Sequence, residues 1–254
     1  MAFRRTVLAL VVVTAAIAAV SLGCRRGAKD QIRIAAAADL SKAFTEVGRA
    51  FTAKTGIKPV FTFGSSGLLA KQLAQGAPFD IFAAANINYV DEVVAAGACD
   101  GASKRPYALG RIVAWSQDQK IAALSDLAEP RFIKVAIAHP DHAPYGLAAK
   151  QALQAAGVWP QVEGKLVFAE NIRQTLQWAQ DGNADAAIIS LSLAPVAEGG
   201  RSLTIDDALH QPLIQALAVC KNGGAAASGQ RFVDFLTSPE GTEIMKRYGF
   251  TLPG

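Results

Sequence analysis

The stretch "VFTFGSSGLLAKQLAQG", Val60 to Gly76, decides the fold. A run of alternating apolar residues ends in a Gly-Ser-Ser-Gly turn, and the chain then reads at once as a helix. A strand that enters a helix through one tight turn is the building unit of α/β proteins.

The same unit recurs on either side. Ile32 to Ala38 ("IRIAAAA") is a short apolar strand, and Asp39 opens a helix with Leu40, Phe44, Val47 and Phe51 at helical spacing, closed by a Gly cap near Thr55-Gly56. Beyond the GSSG helix come a strand at Phe79 to Ala85 and a helix through "NYVDEVVAAG". The order βαβαβα predicts a largely parallel sheet covered on both faces. A second block starts at Arg111 to Trp115 and runs through "KVAIAHP", "APYGLAAKQALQAAG", "KLVFAE", "NIRQTLQWAQDG" and "ADAAIIS". After Arg201 follow a polar connection, the apolar strand "LIQALAVC", and a final helix with Ser238 as N-cap and Pro239 in its first turn. Two α/β blocks joined near residues 110 and 212 place a cleft between them, where small-ligand sites concentrate.

Composition sets the frame. The 254 residues, 51% hydrophobic, can bury one large or two modest cores, which excludes a disordered chain. Arg4 and Arg5 followed by the uncharged apolar run Val7 to Gly23 predict a signal peptide, excluded from the fold. Ser21-Leu22-Gly23-Cys24 reads as a lipoprotein cleavage box that would leave lipid on Cys24, with residues 24–30 as a tether. Ordinary cleavage and a retained anchor are the alternatives. Without residues 1–23 the net charge drops from +4 to +2, since only Arg4 and Arg5 leave. No basic cluster with interleaved aromatics follows, so nucleic acid is not an expected partner. Cys99 and Cys220 read as two isolated buried thiols, with a single bridge as the alternative.

The turns carry the chemistry. A helix start leaves unsatisfied N–H groups and about half a positive charge, so it holds an anion without an ionised side chain. Four such starts are expected: Ala38-Asp39, Ser65-Ser66-Gly67, Pro144-Tyr145-Gly146 and Asn171-Ile172. Taken alone, Ser65 and Ser66 are equally an N-cap pair; the repetition favours a ligand. A pocket of neutral donors suits a tetrahedral oxyanion, since each hydrogen bond to a charged group contributes about 1.5–3 kcal/mol. GSSG is one residue short of a nucleophile elbow, no phosphate loop occurs, and a hydrolase built from Ser66, His142 and Asp141 is a remote alternative. His139, Asp141 and His142 lie between prolines, which favours a loop shaping the cleft over a metal site.

"AAAADLSKAF", "FGSSGLLAKQLAQGAPFDIFAAA", "HPDHAPYGLAAKQAL", "AENIRQTL" and "RYGF" together resemble the molybdate-binding proteins of ABC importers, in order and over nearly all of the chain past the signal. The resemblance implies a type II periplasmic-binding fold of two α/β lobes: residues 31–110 with 212–254, and residues 111–211, joined by two crossing hinge strands. It implies a non-enzymatic, exported monomer without cofactor, on the outer face of the membrane or in the periplasm, that gives molybdate or tungstate to a permease. The family's binding positions fall on Asp39, Ser66 with Ser65 beside it, Tyr145, the Ile172 backbone N–H, and Ser190. Asp39 departs from the family's usual Ser or Asn. A carboxylate about 4 Å from an anion repels it by about 4 kcal/mol per unit charge at an effective dielectric of 20. The first reading of Asp39 is therefore a cap on its own helix. The others are an acceptor selecting a hydrogen-bearing oxyanion such as phosphate or phosphonate, and a carboxyl protonated by the site.

Overall fold

Two sheets of five strands each organise the chain, their inner strands buried on both faces and their edge strands partly exposed. In the computed structural model residues 31–196 and 199–252 are described; the signal peptide, Cys24 and the tether lie outside them. The first half runs β1 (Gln31–Ala37), α1 (Ser41–Thr55), β2 (Lys58–Gly64), α2 (Ser66–Ala74), β3 (Ile81–Ala84), α3 (Ile87–Ala95) and β4 (Arg105–Gly110). After the single residue Arg111 come β5 (Ile112–Ser116), β6 (Val135–Ala138), α4 (Pro144–Ala155), the short α5 (Trp159–Val162), β7 (Leu166–Ala169), α6 (Ile172–Gln180), β8 (Ala186–Ser190) and β9 (Arg201–Thr204). The chain then returns through β10 (Leu213–Val219) to α7 (Ala226–Leu236) and α8 (Pro239–Arg247).

One sheet has the order β2-β1-β3-β10-β4 and the other β7-β6-β8-β5-β9. The α/β expectation holds, but the sheets are mixed rather than largely parallel. β1 and β3 are parallel, as are β6 with β7 and β8, whereas β10 runs antiparallel to β3 and β4, and β5 antiparallel to β8 and β9. The antiparallel members are the strands that enter each sheet from the other. No crossover helix precedes them, so nothing enforces a parallel approach.

Helix ends follow their local chemistry. Gly56 closes α1 at φ 74°, a left-handed position that Gly adopts without a Cβ penalty, and donates its N–H to Thr52 O. Ser238 caps α8 by accepting the Gly241 N–H, with Pro239 at the first helical position. Phe44, Phe51, Phe232 and Phe235 pack edge-on or tilted between α1 and α7, filling the core of the first sheet.

Cys99 and Cys220 are bridged, against the expectation of isolated thiols. Val219 ends β10 beside the loop after α3, and Cys99 meets Cys220 in an isolated antiparallel pair, a register that linear spacing does not reveal.

Candidate functional site

Four helix starts converge between the sheets. A small cavity of about 10 Å³ is lined by Ala37, Ala38 and Asp39 at the end of β1, Gly64, Ser65 and Ser66 at the start of α2, Ala85 after β3, Ala143 to Tyr145 opening α4, and Asn171 with Ile172 opening α6. Organic ligands occupy pockets of about 300–1,000 Å³. A space this small suits a compact inorganic ion. The lining holds no Lys, Arg or His.

Each start arrives there for a local reason. Gly67 N–H donates to His142 O across the cleft at 2.9 Å, and a Cβ on Gly67 would sit 2.8 Å from that oxygen. Only a side chain of hydrogen permits this approach. Gly146 plays the same part for α4, where a Cβ would collide with the Ala138 carbonyl. Asn171 caps α6 by accepting from the N–H groups of Arg173 and Gln174, which leaves the Ile172 N–H outside the cap and on the cavity wall.

The hydroxyls divide their work. Ser66 Oγ accepts the Ala85 N–H at 3.0 Å, which leaves its own proton to donate. Ser65 Oγ donates to His142 O and lies 2.9 Å from His142 Nδ1, so it fastens one lobe to the other. Burial, and next the neighbouring His139, push the His142 imidazole below its ordinary pKa. Asp141 lies 3.8 Å from His139, not on His142, so Ser66, His142 and Asp141 do not assemble. Among the described residues no cluster of three or more His, Cys, Asp or Glu is arranged to hold a metal ion.

Asp39 is not a helix cap. It lies inside the 3₁₀ turn Ala38–Leu40, which has no side-chain cap bond. Its Oδ2 accepts from Tyr145 Oη at 2.8 Å and from Gln215 Nε2 at 2.6 Å. Gln215 Nε2 also donates to Tyr145 Oη at 2.9 Å, and Tyr107 Oη donates to Gln215 Oε1 at 2.9 Å. The capping expectation fails because these tertiary donors outcompete the helix's own N–H groups. Asp39 Oδ1 is buried without a partner. Burial pushes the Asp39 carboxyl up to about 6; the hydrogen bonds from Gln215 and Tyr145 hold it down in part, and the N–H groups of Asp39 and Leu40 pull weakly the same way without completing a bond to Oδ1. Burial, and next the Asp39 carboxylate, drive the Tyr145 and Tyr107 phenols well above their ordinary range.

Five of the six residues expected at the site therefore line one cavity: Asp39, Ser65, Ser66, Tyr145 and Ile172. Tyr145 contributes differently from the expectation, because its hydroxyl proton goes to Asp39. Ser190 stands outside the lining; Ser192 Oγ donates its one proton to Asp39 O and accepts from Ser190 Oγ. Gln215, Tyr107 and Ser192 were not singled out from the sequence. Gln215 left a signal, as the one amide inside the apolar run "LIQALAVC", fully buried in the structure.

Residues 32–251 match the family model described as bacterial extracellular solute-binding protein. The chain is similar to the molybdate-binding protein ModA of Rhodobacter capsulatus, 34% identical over 88% of this chain and 89% of that one. ModA of Escherichia coli is 31% identical over 87% and 89%. Among solved structures, the periplasmic molybdate-binding protein of Azotobacter vinelandii superposes with a TM-score of 0.83 at 25% identity, over 88% of this chain and all of that one.

Proposed function

The chain belongs to the bacterial extracellular solute-binding protein family, and from that premise we propose that it captures molybdate or tungstate outside the cytoplasm and passes the anion to an ABC permease. The observation that carries the reading is the small cavity where four helix starts meet with no basic side chain. Such a lining selects an ion by size and donor geometry. Ser66 Oγ and the Ile172 N–H are the direct donors, Ser65 fastens the lobes, Tyr145 and Asp39 form the floor, and Ser190 supports that floor through Ser192. The role is binding, without a catalytic step. The lobes are residues 31–110 with 212–254, and residues 111–211. The protein acts as a monomer, exported by its signal peptide and held by lipid on Cys24.

A second reading keeps the fold and takes a hydrogen-bearing oxyanion, phosphate or a phosphonate, whose proton Asp39 Oδ1 accepts. The unpartnered Oδ1 favours it. Thermal shifts of the purified protein with molybdate, tungstate, sulfate, phosphate and phosphonates separate the two. Stabilisation by molybdate and tungstate is expected; stabilisation confined to phosphate or phosphonate selects the second reading, and silence from all five rejects both.

A further inference from the structure

The polar floor of the cavity has a direction that the bound anion must meet. The hydrogen bonds of the chain Tyr107 to Gln215 to Tyr145 to Asp39 all run toward Asp39, and the two that reach its carboxyl both end on Oδ2. Oδ1 is the remaining atom, buried, without a donor, on a residue that lines the cavity. An ionised carboxylate offers this atom only as an acceptor. Molybdate has only acceptor oxygens as well, so two acceptors would face each other inside a closed space with no cation. The conflict disappears if one proton sits on Oδ1: Oδ2 keeps both incoming bonds, and Oδ1 becomes a donor.

We propose that Asp39 closes on the anion as a neutral carboxylic acid, with its Oδ1–H donated to an oxyanion oxygen, so that each molybdate is captured together with one proton from solvent. The inference rests on the oxyanion-binding reading and deepens it. The balance is simple: carboxylate, proton and dianion combine, no covalent bond to the anion forms, and the proton leaves when the anion does.

The surroundings fit a proton held at this place. Facing Asp39 are Tyr145 from α4, Tyr107 from β4, Gln215 from β10, and Ser192 from the 3₁₀ turn after β8, none of them charged at neutral pH. The basic groups near the start of the two flanking helices, Lys42 on α1 and Arg173 on α6, are exposed, as is Lys58 at the outer end of β2. His142, at the Ser65 side of the cleft, has its pKa lowered and stays neutral above pH 7. The burial that raises the Asp39 pKa acts in the same sense, and a bound dianion raises it further.

The test is calorimetric titration of the full-length protein with sodium molybdate from about pH 7 to 9, in buffers of differing ionisation enthalpy, with sulfate and phosphate as parallel probes. Uptake of about one proton per molybdate is expected, with a Kd that rises about tenfold per pH unit. Asp39→Asn keeps an amide donor in place of the acid; it is expected to bind with no proton uptake and a Kd that no longer changes with pH. The wild-type proton count decides the matter even if that variant does not fold. Molybdate binding without proton uptake overturns the inference and leaves the oxyanion reading standing. Preference for phosphate without proton uptake overturns the inference and selects the second oxyanion reading, and no binding of any probe overturns the inference and the oxyanion reading together.

Discussion

Asp39 lies in the cavity without a counter-charge, and its cost to the fold depends on pH. Its folded pKa of about 6 stands above the ordinary 3.8, so the folded state binds the proton more tightly than the unfolded chain. The stability linked to this group is fully present below about pH 4 and is lost as pH rises through about 6. The gap between the two values corresponds to about 3 kcal/mol. Asp39→Asn should therefore unfold at a higher temperature than the wild type at about pH 8, with the advantage vanishing near pH 4. An equal advantage at both pH values would show that the carboxyl titrates normally. The identity of this residue was legible in the sequence, but its role was not. Its local context, a strand followed by a helix, predicts a cap, whereas Tyr145 and Gln215 come from positions 106 and 176 residues away. Ser66 and Ile172 were readable because helix starts are local; Gln215 was not, because its partner is set by which strand lies beside β3.

At the scale of elements, periodicity located most strands and helices, and the turn residues located most of their ends. What it could not supply was strand direction. A β-α-β order implies parallel neighbours, yet β5 and β10 insert from the opposite lobe and run antiparallel. The pairing of β10 also brings Cys220 against Cys99, a bridge with a sequence separation of 121 residues. Constraining an unfolded chain over so long a loop stabilises the native state by about 2–4 kcal/mol. The double variant Cys99→Ser, Cys220→Ser should lower the urea midpoint by the corresponding amount, and reductant should then have no further effect on it. If reductant shifts the wild type by nothing, the bridge contributes no stability.

For the molecule as a whole, the contacts across the cleft couple ligand to conformation. Gly67 accepts the approach of His142 only because it lacks a Cβ. Small-angle scattering should register a ligand-induced decrease in radius of gyration for the wild type, and Gly67→Ala should hold the lobes apart at that point, weaken molybdate binding about 10-fold or more, and abolish that decrease. Preserved compaction in that variant would mean that the His142 loop yields instead. Two lobes were legible from the two blocks of strands and helices; the grip of the His139–Ala143 loop on α2 was not, because it depends on carbonyl positions that no residue type encodes.

Gly110 precedes Arg111, the single residue between β4 and β5, and a Cβ on it would collide with the Tyr145 hydroxyl. The phenol thus sits almost at the crossing point. In a rotation of one lobe on the other, an atom at small radius sweeps a short arc, while contacts farther from the axis separate by much more for the same angle. For a rotation about this connection, the bond from Tyr145 to Asp39 would lie on the short arm of the lever and would survive an opening that admits water and ion. The floor of the site would then travel through the cycle as a fixed bearing, and the work of release would fall to the outer rim.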